Sequence, residues 1–129
     1  MASILIVDDS LAARNATASL LREEGHTVTC ADNAWRGLTI LESMPVDLVI
    51  LDLALPGLNG VGFMKDMQNG RHRGVPVVVV SAMEVNEQLW GQLRPQVREW
   101  LVKGKYGGED LLAAMHQALS GAELVTTAA

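Results

Sequence analysis

At 129 residues, with 49% hydrophobic and 19% charged residues, the chain has the size of one ordinary domain and excludes a disordered or collagen-like polymer. A net charge of −5 provides no basic face for a nucleic-acid backbone, and no uncharged apolar stretch approaches the ~20 residues that span a bilayer. Cys30 is the only cysteine, so no internal disulfide forms, and a soluble protein of the reducing cytoplasm is expected.

The N-terminal run Ser3–Val7 is apolar and strand-like, and it stops at Asp8-Asp9, a pattern without the basic start of a signal peptide. Residues 10–24 follow with helical periodicity, closed by Gly25. Thr27–Ala31 alternates threonine with Val28 and Cys30, the pattern of a strand with one wet face, and so belongs at a sheet edge. A helix over residues 33–43 sets Ala34, Leu38 and Leu41 on one stripe. Leu48–Leu51 is a continuously apolar strand that stops at Asp52, and Gly60–Asn69 is helical. Residues 75–80 form a valine-rich strand ending at Ser81, followed by a helix from about residue 84 to 93. The last strand, residues 100–102, ends at Lys103. The last helix, residues 108–119, aligns Leu112, Met115 and Leu119.

Strict alternation of strand and helix with short links implies an α/β domain: a parallel sheet covered by helices on both faces and joined by right-handed crossovers. With the second strand at an edge, the economical order is 2-1-3-4-5, the flavodoxin-like, doubly wound (βα)5 arrangement. Residues 1–121 are expected to form this domain, with a short fraying tail over residues 122–129 and no output domain.

In such sheets the functional crevice lies beyond the carboxyl ends of the strands, where this chain places Asp8, Asp9, Asp52, Ser81 and Lys103. Each has an ordinary reading alone: Asp and Ser cap helices, and a lysine after a strand is solvated. Together they are harder to dismiss, because converging carboxylates repel one another unless a cation sits among them. A hard divalent cation such as Mg²⁺ suits an all-oxygen donor set, and no Cys or His stands at a strand end to favour zinc. Lys103 offers a point charge and Ser81 a hydroxyl to a phosphoryl oxygen.

On these residues the chain resembles the receiver domains of two-component response regulators. Asp8-Asp9 match the acidic pair, LVILDLALPGLNG (residues 48–60) the phosphoacceptor strand and loop, Ser81-Ala82 the hydroxyl-small pair, and Lys103 the lysine. The separations of 44, 29 and 22 residues from Asp8 to Asp52, Ser81 and Lys103 in turn suit that family. The resemblance implies that Asp52 accepts a phosphoryl group from the phosphohistidine of a histidine kinase or phosphotransfer protein. It implies that Asp9, Asp52 and the Ala54 carbonyl bind Mg²⁺ directly, that Asp8 acts through water, and that Ser81 and Lys103 hold phosphoryl oxygens. Trp100 stands where the family carries a switch aromatic, and Trp90 and Tyr106 are expected to flank it on one face. Signalling would then run through the surface of the fourth helix, fifth strand and fifth helix, with no enzymatic activity beyond self-phosphorylation and slow self-dephosphorylation.

The chain departs from the family pattern in three places. Gly104 replaces the proline after the lysine, residues 94–98 (RPQVR) replace a small turn before the fifth strand, and the apolar Ala54 and Met83 cannot orient an attacking water. The fifth helix opens Gly108-Glu109-Asp110 without evident basic partners, so a monomer is expected. A non-phosphorylated scaffold of the same fold is the alternative. A flavin or nucleotide enzyme ranks below it, because no glycine-rich phosphate loop follows the first strand.

Overall fold

The structure is a computed structural model whose described residues are 1–54, 60–84, 86–94 and 96–128, with the backbone alone described from residue 121. Residues 55–59 of the quoted LVILDLALPGLNG stretch, Val85 and Pro95 lie outside them. The described residues form β1 (Ser3–Val7), α1 (Leu11–Glu23), β2 (Thr27–Ala31), α2 (Ala34–Ser43), β3 (Leu48–Leu51), α3 (Gly60–Asn69), β4 (Val77–Ser81), α4 (Glu87–Leu93), β5 (Val97–Val102) and α5 (Gly108–Ala128). Every strand pair is parallel and the order is β2-β1-β3-β4-β5, as the alternation of elements implied.

Because successive strand residues face opposite ways, the apolar runs of β1, β3 and β4 feed two cores at once. Leu5, Val7, Val49, Leu51, Val77 and Val79 pack on one side against Leu41 of α2 and Phe63, Met64 and Met67 of α3. Ile4, Ile6, Leu48, Ile50, Val78 and Val80 pack on the other against Leu21 of α1 and Leu111, Met115 and Ala118 of α5. Each fully buried aliphatic side chain contributes about 1.5–3 kcal/mol, so this double-sided core is what rigidly presents the strand ends. β2 lies at an edge with Thr27 exposed and Val28 buried.

Helix starts follow capping chemistry. Ser10 Oγ accepts from the Ala13 N–H (3.2 Å), Asn33 Oδ1 from Arg36 (2.9 Å) and Asn86 Oδ1 from Leu89 (3.0 Å). The Asn86 cap delays α4 to Glu87, three residues later than its expected start at residue 84.

Three further boundaries differ from expectation. β4 begins at Val77 rather than residue 75, since Pro76 has no N–H for the ladder, and it runs through Ser81, whose carbonyl accepts from the Lys103 N–H (2.8 Å). β5 begins at Val97 rather than residue 100. Arg98 and Glu99 break its apolar run, but a β-bulge sets Val77 against Val97 and Val78 against Glu99, and an edge strand tolerates charge. α5 is described to Ala128, beyond its expected end at residue 119.

In the segment that replaces the small turn, Gln96 is buried at 5% exposure. Its Nε2 donates to the carbonyls of His72 and Val75, both at 2.9 Å, fastening the loop before β4 to the start of β5.

Candidate functional site

Val7 of β1 and Leu51 of β3 are register partners, so the residues after them emerge side by side. The Asp52 N–H donates to the Val7 carbonyl (3.0 Å), and the Asp8 N–H to the Ala31 carbonyl (3.1 Å). Asp8 and Asp52 are buried and Asp9 is exposed, and one carboxylate oxygen from each lies within 4.8 Å of the others. The acidic cluster inferred from strand ends is therefore real in space.

Lys103 closes it from β5. Its Nζ lies 2.9 Å from Asp8 Oδ2 and 3.0 Å from Asp52 Oδ2. Burial pushes the Lys103 ammonium toward losing its proton, but hydrogen bonds and charge from Asp8 and Asp52 outweigh this and hold its pKa above the ordinary 10.5. The lysine is aimed by its backbone bond to Ser81 and by Gly104, whose φ of +83° a side chain rarely adopts. Proline, fixed near −65°, has no access to that turn.

The remaining predicted positions surround this centre. Asp52 Oδ1 accepts from the Ala54 N–H (2.9 Å), so Ala54 is held beside the carboxylate by its backbone. Ser81 is fully buried, and its Oγ accepts from the Met83 N–H (3.2 Å). Trp100 is half-buried, with its indole N–H on the Met83 carbonyl (3.1 Å) and its ring 6.1 Å from that of Trp90. Tyr106 does not join that pair. It packs with the α1/α5 core while Trp90 and Trp100 pack with the α2/α3 core, so the expectation of one aromatic face is corrected to two aromatics on one side and one on the other. Burial raises the Tyr106 hydroxyl pKa above 10.0, with Lys103 opposing and Asp8 adding to the rise.

Sequence reasoning missed two supporting groups. Arg14 on α1 donates from Nη1 to the Asp8 carbonyl (2.9 Å), fixing the acidic pair's backbone. Gly60 sits so close to the backbone after Asp52 that an added Cβ would fall 2.7 Å from the Asp52 carbonyl oxygen and against Leu53 Cα. The signal was present as a glycine at a helix start, but its meaning depends on the packing of α3 on β3.

The model of the response regulator receiver domain matches residues 4–116. The chain belongs to that family. It is 31% identical over 123 residues to protein PilH of Pseudomonas aeruginosa, covering 94% of this chain and 100% of PilH. It is also 33% identical over 128 residues to the sensory/regulatory protein RpfC of Xanthomonas campestris, spanning 97% of this chain but 18% of RpfC.

Among solved structures, the CheY-like receiver domain from Methanospirillum hungatei superposes with a TM-score of 0.85 at 27% identity, covering 95% of this chain and 97% of that one. The regulator TrrA of Thermotoga maritima, solved in complex with Mg²⁺ and BeF, gives 0.79 at 25% identity and covers 92% and 100%. Receiver domains of this family bind Mg²⁺ at their acidic pocket, and the oxygen-only cluster of Asp8, Asp9 and Asp52 fits such an ion. Among the described residues no helix is long and apolar enough to cross a membrane.

Proposed function

We propose that the protein is a phosphorylation-controlled switch in which Asp52 accepts a phosphoryl group from a histidine kinase or phosphotransfer protein. The observation that carries this reading is the Lys103 ammonium bridging Asp8 and Asp52 at 2.9 and 3.0 Å inside a three-carboxylate cluster. An Asp52 oxygen attacks phosphorus, the bond to the donor imidazole breaks, and the imidazole keeps the electron pair and takes a proton. The protein's part is positioning and charge neutralisation, which suffices for phosphoryl transfer.

Asp9, Asp52 and the Ala54 carbonyl would hold Mg²⁺ directly and Asp8 through water. The ion would supply positive charge to the phosphoryl oxygens. Lys103 and the Ser81 hydroxyl bind the remaining oxygens, and Trp100 reports the change to the α4, β5 and α5 surface, where a downstream protein docks. A groove of about 430 Å³ between α1 and the segment before α5, lined by Ala13, Ala16, Leu20, Gly104 and Tyr106, supports docking of the phosphodonor beside Lys103. With only a free Cys30, a reducing cytoplasmic setting fits this role.

The activity stops at taking up and slowly losing the phosphoryl group, and the protein acts as a monomer. Ala54 and Met83 offer no side-chain polar atom to an attacking water, so the aspartyl phosphate outlasts that of variants such as Ala54→Asn. Loss of label at the same rate in both would count against this, and a phosphorylation-dependent rise in mass by light scattering would contradict the monomer.

The primary test is intact mass after incubation with acetyl phosphate, with and without Mg²⁺, for the wild type and Asp52→Ala. One phosphoryl adduct requiring both Mg²⁺ and Asp52 supports the switch. A folded, Mg²⁺-binding protein that takes up none supports instead a constitutive scaffold.

A further inference from the structure

The segment that replaces the small turn before β5 also walls a pocket of about 380 Å³, lined by Gln68 of α3, Arg73 and Gly74 before β4, and Gln96 and Arg98 at the start of β5. It lies at the amino ends of β4 and β5, away from Asp52. None of these residues is acidic, and Glu99 falls in a separate groove with Leu101 and Asp110.

Arg98 is the residue that the β-bulge leaves unpaired, since Val77 is set against Val97 and Val78 against Glu99. A bulge re-aims the side chain it releases. Arg98 Nε is buried without a hydrogen-bond partner while the residue as a whole stays half-buried, so the Nη end of its guanidinium is the part left open to the pocket. Arg73 is exposed. Among the described residues neither guanidinium has an ion pair or a hydrogen-bond acceptor, whereas each of the five other arginines meets a carboxylate, a carbonyl or an indole ring. In a chain with 15 acidic residues against 10 basic ones, the two arginines left without a counter-charge share one pocket.

We propose that this pocket binds the phosphoryl dianion of a small molecule, either inorganic phosphate or a phosphate ester. The inference does not depend on the reading of Asp52. Two guanidiniums match the two charges, and the planar fork of arginine suits phosphoryl oxygens. A partly desolvated cation gains more from an anion than a solvated one, because water screens it less. Gln96, 5% exposed and bonded to the His72 and Val75 carbonyls, makes a fixed wall, and its Oε1, an acceptor that would repel an anion, is buried within that wall. The volume is that of a small-ligand site, and the bulge breaks the regular edge of β5 that an added acidic peptide strand would need.

The test is isothermal titration calorimetry at low ionic strength without Mg²⁺, so that the acidic centre repels the probes. These are inorganic phosphate, glucose 6-phosphate, glucose and tri-glutamate. One or both phosphates should bind one to one and glucose not at all, and the tighter phosphate identifies the source. Arg98→Gln should weaken binding about tenfold or more, the range of a charged hydrogen bond. Arg73→Gln should weaken it about two- to fivefold, because Arg73 is exposed. An added Cβ at Gly74 meets no atom within 4 Å, so Gly74→Asp brings a carboxylate to the lining without crowding the backbone. It should also weaken binding, and it keeps the test decisive if Arg98→Gln fails to fold. Lys65→Gln removes an exposed charge outside the lining and should change affinity by less than about twofold. Absence of saturable binding by both phosphates overturns the proposal. So does an equal loss in Lys65→Gln and Arg98→Gln, which is general charge attraction, and so does tighter binding of tri-glutamate, which assigns the pocket to acidic peptides.

Discussion

Lys103 grips Asp52 across 51 positions of sequence, with its Nζ 3.0 Å from Asp52 Oδ2 and 2.9 Å from Asp8 Oδ2. A cation contributed by the edge strand thus neutralises carboxylates at the ends of two central strands. Lys103→Met leaves Asp8, Asp9 and Asp52 facing one another with no counter-charge. Urea unfolding at pH 7 should show a loss of about 1–2 kcal/mol, less than for a fully buried pair because the lysine is partly solvated. Mg²⁺ should raise the unfolding midpoint more in the variant than in the wild type, because it replaces the missing cation. Equal gains in the two proteins would show that lysine and metal do not share these carboxylates.

The alkaline side of the stability curve has a definite sign. Lys103 and Tyr106 both titrate above their ordinary values of 10.5 and 10.0 in the folded state. A raised folded pKa stabilises fully below the unfolded value and is lost as pH rises through the folded one. Stability should therefore decline from about pH 10 upward, with a shallower decline in Tyr106→Phe. Tyr106 is the only tyrosine in the chain, so absorbance near 295 nm reads it directly. A native titration midpoint at or below 10 would refute the assignment.

Gly104→Pro places the proline common in the family at the position after the lysine. It should destabilise this chain by more than about 1 kcal/mol, because φ of +83° is closed to proline. The same change should slow phosphorylation by misplacing Lys103. Thermal unfolding together with the acetyl phosphate rate checks both, and a raised melting temperature would contradict the observed turn.

Gln96→Ala removes the amide that donates to the carbonyls of His72 and Val75 at 2.9 Å each. Two half-buried carbonyls then lose this donor, though that of His72 keeps the Val75 N–H (3.1 Å), and a cost of about 1–2 kcal/mol in urea unfolding is expected. Since Gln96 lies at the opposite end of the strands from Asp52, the phosphorylation rate should hardly change.

Much of this protein was determined by the sequence alone. The apolar runs stop at Asp8, Asp52, Ser81 and Lys103, and both the runs and their stops are local patterns, so the parallel sheet, its order and the position of the site followed from periodicity and short connections. The three-dimensional packing decided the rest. β5 is longer than its apolar stretch because neighbouring Val77 and Val78 accept a bulge at Arg98, and a bulge is a property of a pair of strands. Tyr106 faces the core opposite to that of Trp90 and Trp100, Lys103 bridges two carboxylates, and Glu84 meets Lys105. Each of these depends on which side chains meet after segments distant in sequence have docked, and pairwise distances of that kind leave no periodic trace along the chain.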